Sequence, residues 1–301
     1  MSLCDGRVVI VTGAARGLGR AHALAFAAAG AAVVVNDYGV ALDGTGAATG
    51  PAQQVVDEIV AAGGQAVANA DDVADWAGAK RLVDTATSRF GRLDVLVNNA
   101  GFLRDRMLVN LDEDQWDAVI RVHLKGHFAP MRHAAGYWRD ESKAGRQPAA
   151  RIINTSSGAG LLGSLGQGNY SAAKAGIATL SIVAAAELGR YGITVNAIAP
   201  AARTRMTERT FADAMAGPKD GGFDAMAPEN VSPLVVWLGS VESAHITGRV
   251  FEVEAGKITV ADGWRRGPTV DKGARWDPAE LGPVVGDLLA KATPPEPVYG
   301  V

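Results

Sequence analysis

An apolar run that passes directly into a glycine-rich loop constrains this chain more than any other feature. Arg7 to Thr12 reads RVVIVT, the near-continuous pattern of a parallel strand buried on both faces. Gly13, Arg16, Gly17, Leu18 and Gly19 follow in the stretch GAARGLG, and an alanine-rich helix runs on to about Ala29. Strand, glycine loop and helix in that order make a phosphate cradle. Glycines let the backbone approach a pyrophosphate, and the helix N-terminus contributes free N–H groups and the positive end of its dipole.

Later strand ends supply the remainder of a nucleotide site. The second strand, Ala31 to Asn36, ends in Asp37. A carboxylate there bonds a ribose 2′-hydroxyl and repels a 2′-phosphate, which favours NAD over NADP. Arg16 points the other way, since an arginine in the glycine loop can meet a 2′-phosphate. Asp37 carries more weight, because a carboxylate facing a phosphate costs more than a flexible surface arginine gains. A third strand, Gln65 to Asn69, runs into Asp71, Asp72 and Val73. Asp75 already caps the helix that follows, so Asp72 and Val73 are expected along the adenine edge. Strand four, Leu93 to Val97, delivers Asn98, Asn99, Ala100 and Gly101, small and polar residues at the end of a sheet where ligands bind. Strand six, Ile193 to Ala199, delivers Pro200 and Thr204, the latter placed to bond a nicotinamide carboxamide.

The chemistry lies between strands five and six. Ala150 to Thr155 leads a serine pair into the stretch SSGAGLLGSLGQGNYSAAK, Ser156 to Lys174. Tyr170 and Lys174 are four apart on a helix, so they share a face. Ser157 stands at the mouth of the strand. A hydroxyl, a phenol and an ammonium at one point suit removal of a proton from an alcohol. Lys174, as a cation, would lower the phenol from its ordinary pKa of about 10, towards the range of a useful general base.

Composition sets the bounds. The chain has 301 residues, 48% hydrophobic and 20% charged, with a net charge of −3, enough to bury a large core as one α/β domain. Such a charge gives no reason to expect nucleic acid or an anionic membrane as partner. Cys4 is the sole cysteine, which rules out an intrachain disulfide and a cysteine metal cluster and fits a reducing cytoplasm. No signal segment and no membrane-spanning apolar run is read from the sequence. His123 and His127 have the spacing of a metal pair on the long helix Glu113 to about Arg139, but no third ligand is evident, so no metal site is expected. The small-residue helix from Gly168 to about Arg190 suits close packing against another helix, within the chain or in a homodimer or homotetramer. The small-residue loop Asp43 to Pro51 reads as mobile, and Arg205 to Gly222 reads as a lid over the substrate. Residues 1–263 form one domain. Residues 264–301 form a C-terminal extension with a disordered end.

Together these motifs resemble the short-chain dehydrogenase/reductase family: Thr12-Gly13-x-x-x-Gly17-x-Gly19, Asn98-Asn99-Ala100-Gly101, Ser157 and Tyr170-x-x-x-Lys174. The resemblance covers about residues 5 to 255. It implies a Rossmann-type, doubly wound, mostly parallel sheet of seven strands with helices on both faces, a nicotinamide cofactor, and oxidation or reduction at an alcohol/ketone carbon. It further implies that Tyr170 is the acid/base, that Ser157 polarises substrate, and that Lys174 binds the nicotinamide ribose and lowers the phenol pKa. VNDYG, GFLRDRM, IRVHLKGHF and GQGNYSAAK resemble a narrower group, the (3R)-hydroxyacyl-CoA dehydrogenase domains of peroxisomal multifunctional enzymes and their bacterial relatives. Two departures stand out. His123 occupies the frame of the family's relay asparagine, and Pro200-Ala201 replaces its usual Pro-Gly.

The expected activity is therefore NAD-dependent oxidation of a 3-hydroxyacyl-CoA. Alternatives are a 17β-hydroxysteroid dehydrogenase, with the lid and Trp264 flanking a flat substrate, and a 3-oxoacyl carrier-protein reductase using NADPH. A catalytically silent nucleotide-binding relative is the reading outside enzymes. It is disfavoured because Ser157, Tyr170 and Lys174 are all present.

Overall fold

The computed structural model describes residues 2–39, 50–204, 217–218 and 222–300. Most of the expected lid, and nearly all of the expected mobile loop, lie outside these residues. The sheet comprises β1 (Val8–Thr12), β2 (Ala32–Asn36), β3 (Gln65–Asn69), β4 (Val95–Asn98), β5 (Ala150–Thr155), β6 (Ile193–Ala201), β7 (Val250–Glu254) and β8 (Lys257–Ala261). Its order is β3-β2-β1-β4-β5-β6-β7-β8.

All pairings are parallel except β7 with β8. The sheet thus has eight strands, not seven. After β7 the chain reverses through Ala255-Gly256, where Ala255 takes a φ of 52°, the left-handed conformation that tight hairpins demand. An alanine in place of the usual asparagine or glycine hid this turn in the sequence. β8 then lies at the sheet edge with nearly all of its residues exposed, Ile258 and Val260 among them.

Helices cover both faces. α1 (Gly17–Ala28) and α2 (Gly50–Ala61) pack on one face, and α3 (Trp76–Phe90) on the other. Between β4 and β5 come α4 (Glu113–Ile120) and α5 (Gly126–Lys143), then α6 (Gly158–Leu162), α7 (Gly168–Leu188), α8 (Ser232–Gly239) and α9 (Leu281–Lys291). The two-residue period of a strand divides β1 between the two cores. Val9 and Val11 face Phe26, Val55, Ile59 and Leu238, while Val8 and Ile10 face Leu82, Met131 and Trp138. Trp138 is buried and donates its indole N–H to the Leu93 carbonyl at 2.6 Å. A side chain of that kind stabilises the fold by roughly 2 kcal/mol or more.

Two expected helices differ in detail. The long helix after β4 is broken by a π-helical turn at Arg121–Lys125, centred on His123; one extra residue per turn rotates the helix face and is frequent at functional sites. Helix α7 and its short continuation, Gly168–Tyr191, are long and apolar enough by length and composition to cross a membrane, contrary to the sequence reading. Here α7 buries Ala173, Lys174, Ile177, Ala178, Ser181, Ala184 and Ala185, the latter two in the core beside the sheet.

Candidate active site

A buried polar ladder fixes α7 to the sheet and so positions the face that carries Tyr170 and Lys174. Asn98 donates to the Asn154 side chain at 2.9 Å, Asn154 to the Ser181 hydroxyl at 2.9 Å, and Ser181 to the Ile177 carbonyl at 2.8 Å. At the end of β5, the Ser156 hydroxyl donates to the Lys174 carbonyl at 2.8 Å. Ser157 caps α6, its oxygen accepting from the Ala159 N–H at 3.2 Å. Gly160 lets α6 lie against α7: a β-carbon there would stand 2.6 Å from the Lys174 backbone.

The structure brings the three expected catalytic residues together. The Ser157 hydroxyl stands near enough to the Tyr170 phenol to lower its pKa. Lys174 is buried, 2% exposed, and its ammonium stands 5.5 Å from the Tyr170 ring centre. Its Nζ donates to the Thr155 carbonyl at 2.6 Å. The expected electrostatics are not found. Burial pushes the Tyr170 phenol upward; the nearby Ser157 hydroxyl opposes this shift, and the charge of Asp105 adds to it. Lys174 does not pull the phenol down, because burial depresses the lysine itself to about 7.

His123 lies edge-on to Tyr170, with ring centres 5.1 Å apart at 87°. Its Nε2 stands 2.7 Å from the Phe102 carbonyl and 3.1 Å from the Phe102 N–H, so either tautomer finds a backbone partner there. Buried Nδ1 has no hydrogen-bond partner. Burial and the charge of Lys174 hold the ring neutral, lowering its pKa to about 3. Gly101 makes room for it, since a β-carbon on Gly101 would meet His123 Cε1 at 2.2 Å.

The glycine loop is clamped to the end of β4. The Thr12 hydroxyl oxygen accepts from the Asn99 and Ala100 N–H groups at 2.9 and 3.1 Å. The Asn99 side-chain amide donates to the Thr12 and Gly13 carbonyls at 3.0 and 3.2 Å. Gly19 is obligatory, because a β-carbon there would stand 2.2 Å from the Gly13 carbonyl oxygen. Gly17 has a φ of 51° and faces Thr204, whose methyl lies 3.5 Å from the place of its missing β-carbon. Leu18 packs on the adjoining core. Exposed Arg16 is the N-cap of α1 and makes no side-chain capping bond.

Asp37 accepts from the Ala15 N–H at 3.0 Å and the Gly39 N–H at 2.8 Å, which sets its carboxylate beside the loop. Asp72, expected along the adenine edge, accepts from the Ala74 N–H at 2.8 Å and pairs with Arg121. Val73 is buried and packs where Gly126 begins α5. Pro200 lies within β6 opposite Val253. Among the described residues no group of three histidine, cysteine, aspartate or glutamate side chains gathers as a metal site; His123 and His127 are both buried in the core beside α7.

These residues fit a nicotinamide dinucleotide. An uncapped helix N-terminus without acidic residues in its first turn offers N–H donors to a pyrophosphate. Gly13, Gly17 and Gly19 leave the approach open, and Asp37 stands at the end of β2 where a ribose would bind.

Sequence reasoning missed three contacts. Thr12 is read as the first residue of the glycine motif, but not as the clamp to β4 that its hydroxyl makes. Asp105 and Tyr299 approach the site from distant loops, and no spacing in the sequence marks them.

The short chain dehydrogenase family model matches residues 7–214. The chain is 47% identical over 298 residues to hydroxyacyl-CoA dehydrogenase ChsB1 of Mycobacterium tuberculosis, covering 96% of this chain and 90% of that one. It is 49% identical over 254 residues to peroxisomal multifunctional enzyme type 2 of Mus musculus, covering 84% of this chain but 32% of that longer protein. A crystal structure of a short chain dehydrogenase from Mycobacterium avium superimposes with a TM-score of 0.90 at 68% identity, covering 99% of this chain and 100% of that chain. The chain therefore belongs to the short-chain dehydrogenase/reductase family of oxidoreductases that act on CH–OH groups.

Proposed function

We propose that this protein interconverts a (3R)-hydroxyacyl-CoA and its 3-oxoacyl-CoA using NAD, with Tyr170 as acid/base. The observation that carries the reading is the buried Lys174 ammonium 5.5 Å from the Tyr170 ring centre, with Ser157 beside them, at the sheet end that also holds the glycine loop. Ser157 holds the substrate oxygen, and Tyr170 gives or takes its proton. Gly13, Arg16, Gly17, Leu18, Gly19, Asp37, Asn99, Ala100 and Thr204 line the cofactor's place, which supplies the hydride acceptor or donor. A phenol raised by burial is protonated at neutral pH, so it is ready to protonate the oxygen of a ketone; alcohol oxidation needs the phenolate and is favoured by alkali.

Likeness to hydroxyacyl-CoA dehydrogenase ChsB1 supports the acyl-CoA, and Asp37 supports NAD. Exposed Arg16 keeps a second reading, an NADPH-dependent 3-oxoacyl carrier-protein reductase. A relative of that name in Synechocystis is 39% identical and covers 86% of this chain. Self-association is part of the proposal: α5 and α7 flank a groove of about 630 Å³ and expose Phe128, Ile182 and Val183.

NADH formation from (3R)-hydroxyacyl-CoA, compared with NADPH formation and with a 17β-hydroxysteroid, tests the assignment. Preference for acyl-CoA with NAD is expected. Preference for NADP supports the reductase, and turnover of the steroid alone overturns the substrate.

A further inference from the structure

The last residues of the chain reach the catalytic loop. The Leu165 N–H donates to the Tyr299 carbonyl at 3.0 Å, and the Tyr299 N–H donates to the Gly163 carbonyl at 3.2 Å. Ser164 and Tyr299 form a parallel bridge. The Tyr299 side chain lies over Gly158, next to Ser157; a β-carbon on Gly158 would stand 2.7 Å from the phenol oxygen. Val298 packs beside Gly163 in the same way, at 3.5 Å.

A second strip borders the same loop farther along. The Arg106 N–H donates to the Gly166 carbonyl at 2.8 Å, and Met107 and Leu108 approach Gly166 and Gly168. The segment between Ser157 and Tyr170 is thus flanked by residues 106–109 and by residues 298–300. Both strips expose apolar side chains: Met107, Leu108 and Val109 on one, Val298 and Tyr299 on the other, with Leu165 between them. Solvated apolar surface beside a catalytic serine is stabilised when a ligand covers it. Glu252, Glu254 and Glu296 all act electrostatically on Tyr299, so this end of the cleft disfavours the phosphates of coenzyme A.

We propose that Val298–Gly300 is a specificity strip, Tyr299 foremost, that receives the apolar acyl end of the substrate and leaves the coenzyme A end to the opposite side. This rests on the acyl-CoA reading above.

The test compares the full chain with Tyr299→Ala and with a variant ending at Pro297. Two measurements are made: amide hydrogen exchange over residues 158–167, and kcat/KM for a series of 3-oxoacyl-CoA and simple 3-oxo ester substrates of increasing chain length. Faster exchange in the truncated protein is expected, because the Leu165 N–H loses its acceptor. Long-chain kcat/KM should fall roughly tenfold or more while short-chain values and NADH binding hold, since apolar contacts discriminate by such factors. Unchanged exchange overturns the contact, and a loss independent of chain length overturns the specificity role. A wild-type enzyme that ignores acyl-CoA but reduces the esters refutes the acyl-CoA reading alone; length preference among the esters then decides for or against the strip.

Discussion

Lys174 donates a 2.6 Å hydrogen bond to the carbonyl of Thr155, the last residue of β5, and is buried at 2% exposure. A lysine so placed is held by the sheet before any ligand arrives, at a cost in solvation. Its pKa falls from 10.5 to about 7 through burial. The unfolded chain therefore binds more protons than the folded one between about pH 7 and 10.5, and stability rises with pH across that window. Below about pH 7 the full cost is present.

Replacing this residue with methionine should stabilise the fold while stopping turnover. For Lys174→Met we expect a gain on the order of 1–3 kcal/mol at pH 7, or a few degrees in Tm, shrinking towards pH 10. Thermal melts of both proteins at the two pH values check this. A variant less stable than wild type at pH 7 would contradict the burial cost.

Three buried histidines set the opposite limit. Burial lowers His22 and His123 to about 3, and His127 well below its ordinary value. Each folded-state pKa lies below the unfolded value of about 6.5, so each contributes stability that is lost as pH falls below 6.5. The loss should be on the order of 1–2 kcal/mol per histidine by about pH 5. Urea midpoints should drop between pH 7 and pH 5, and His127→Gln should flatten that slope. An unchanged slope in the variant would exclude His127 as a contributor.

Asp37 has one task in the fold and, on the proposed NAD reading, a second in selectivity. Its carboxylate accepts from the Ala15 and Gly39 N–H groups, and under the proposal it repels a 2′-phosphate. Asp37→Ser should weaken NAD and narrow the preference over NADP by roughly ten- to a hundredfold, a range set by charge-assisted hydrogen bonds of about 1.5–3 kcal/mol. Titration of each cofactor against both proteins measures it. An unaltered ratio would move selectivity to Arg16.

Much of this site was legible in the sequence because local rules impose it. Buried strands, glycines at close approaches and a Tyr–Lys pair one helical turn apart are each written within a few residues. The β1 strand forms where it is read, the Gly13–Gly19 loop follows it, and Tyr170 lies beside Ser157 and Lys174. Contacts between distant segments were not legible. The Arg121–Asp72 pair, the Asp105 charge near Tyr170 and the Tyr299 contact with Gly158 depend on how loops return to the sheet. The direction of the Tyr170 shift was also misread, because burial outweighs the charge of a neighbour that is itself depressed by burial. The eighth strand was hidden by a hairpin whose left-handed position is held by Ala255.

The central claim is that Tyr170 transfers the proton while the fold binds the cofactor independently of it. Tyr170→Phe removes one oxygen and keeps the ring against His123. NADH binding by fluorescence should then stay within about threefold of wild type, while 3-oxoacyl-CoA reduction falls by a factor of roughly 100 or more, the usual weight of a general acid. Reduction at more than a tenth of the wild-type rate, with NADH still bound, would contradict the account and place the proton donor elsewhere.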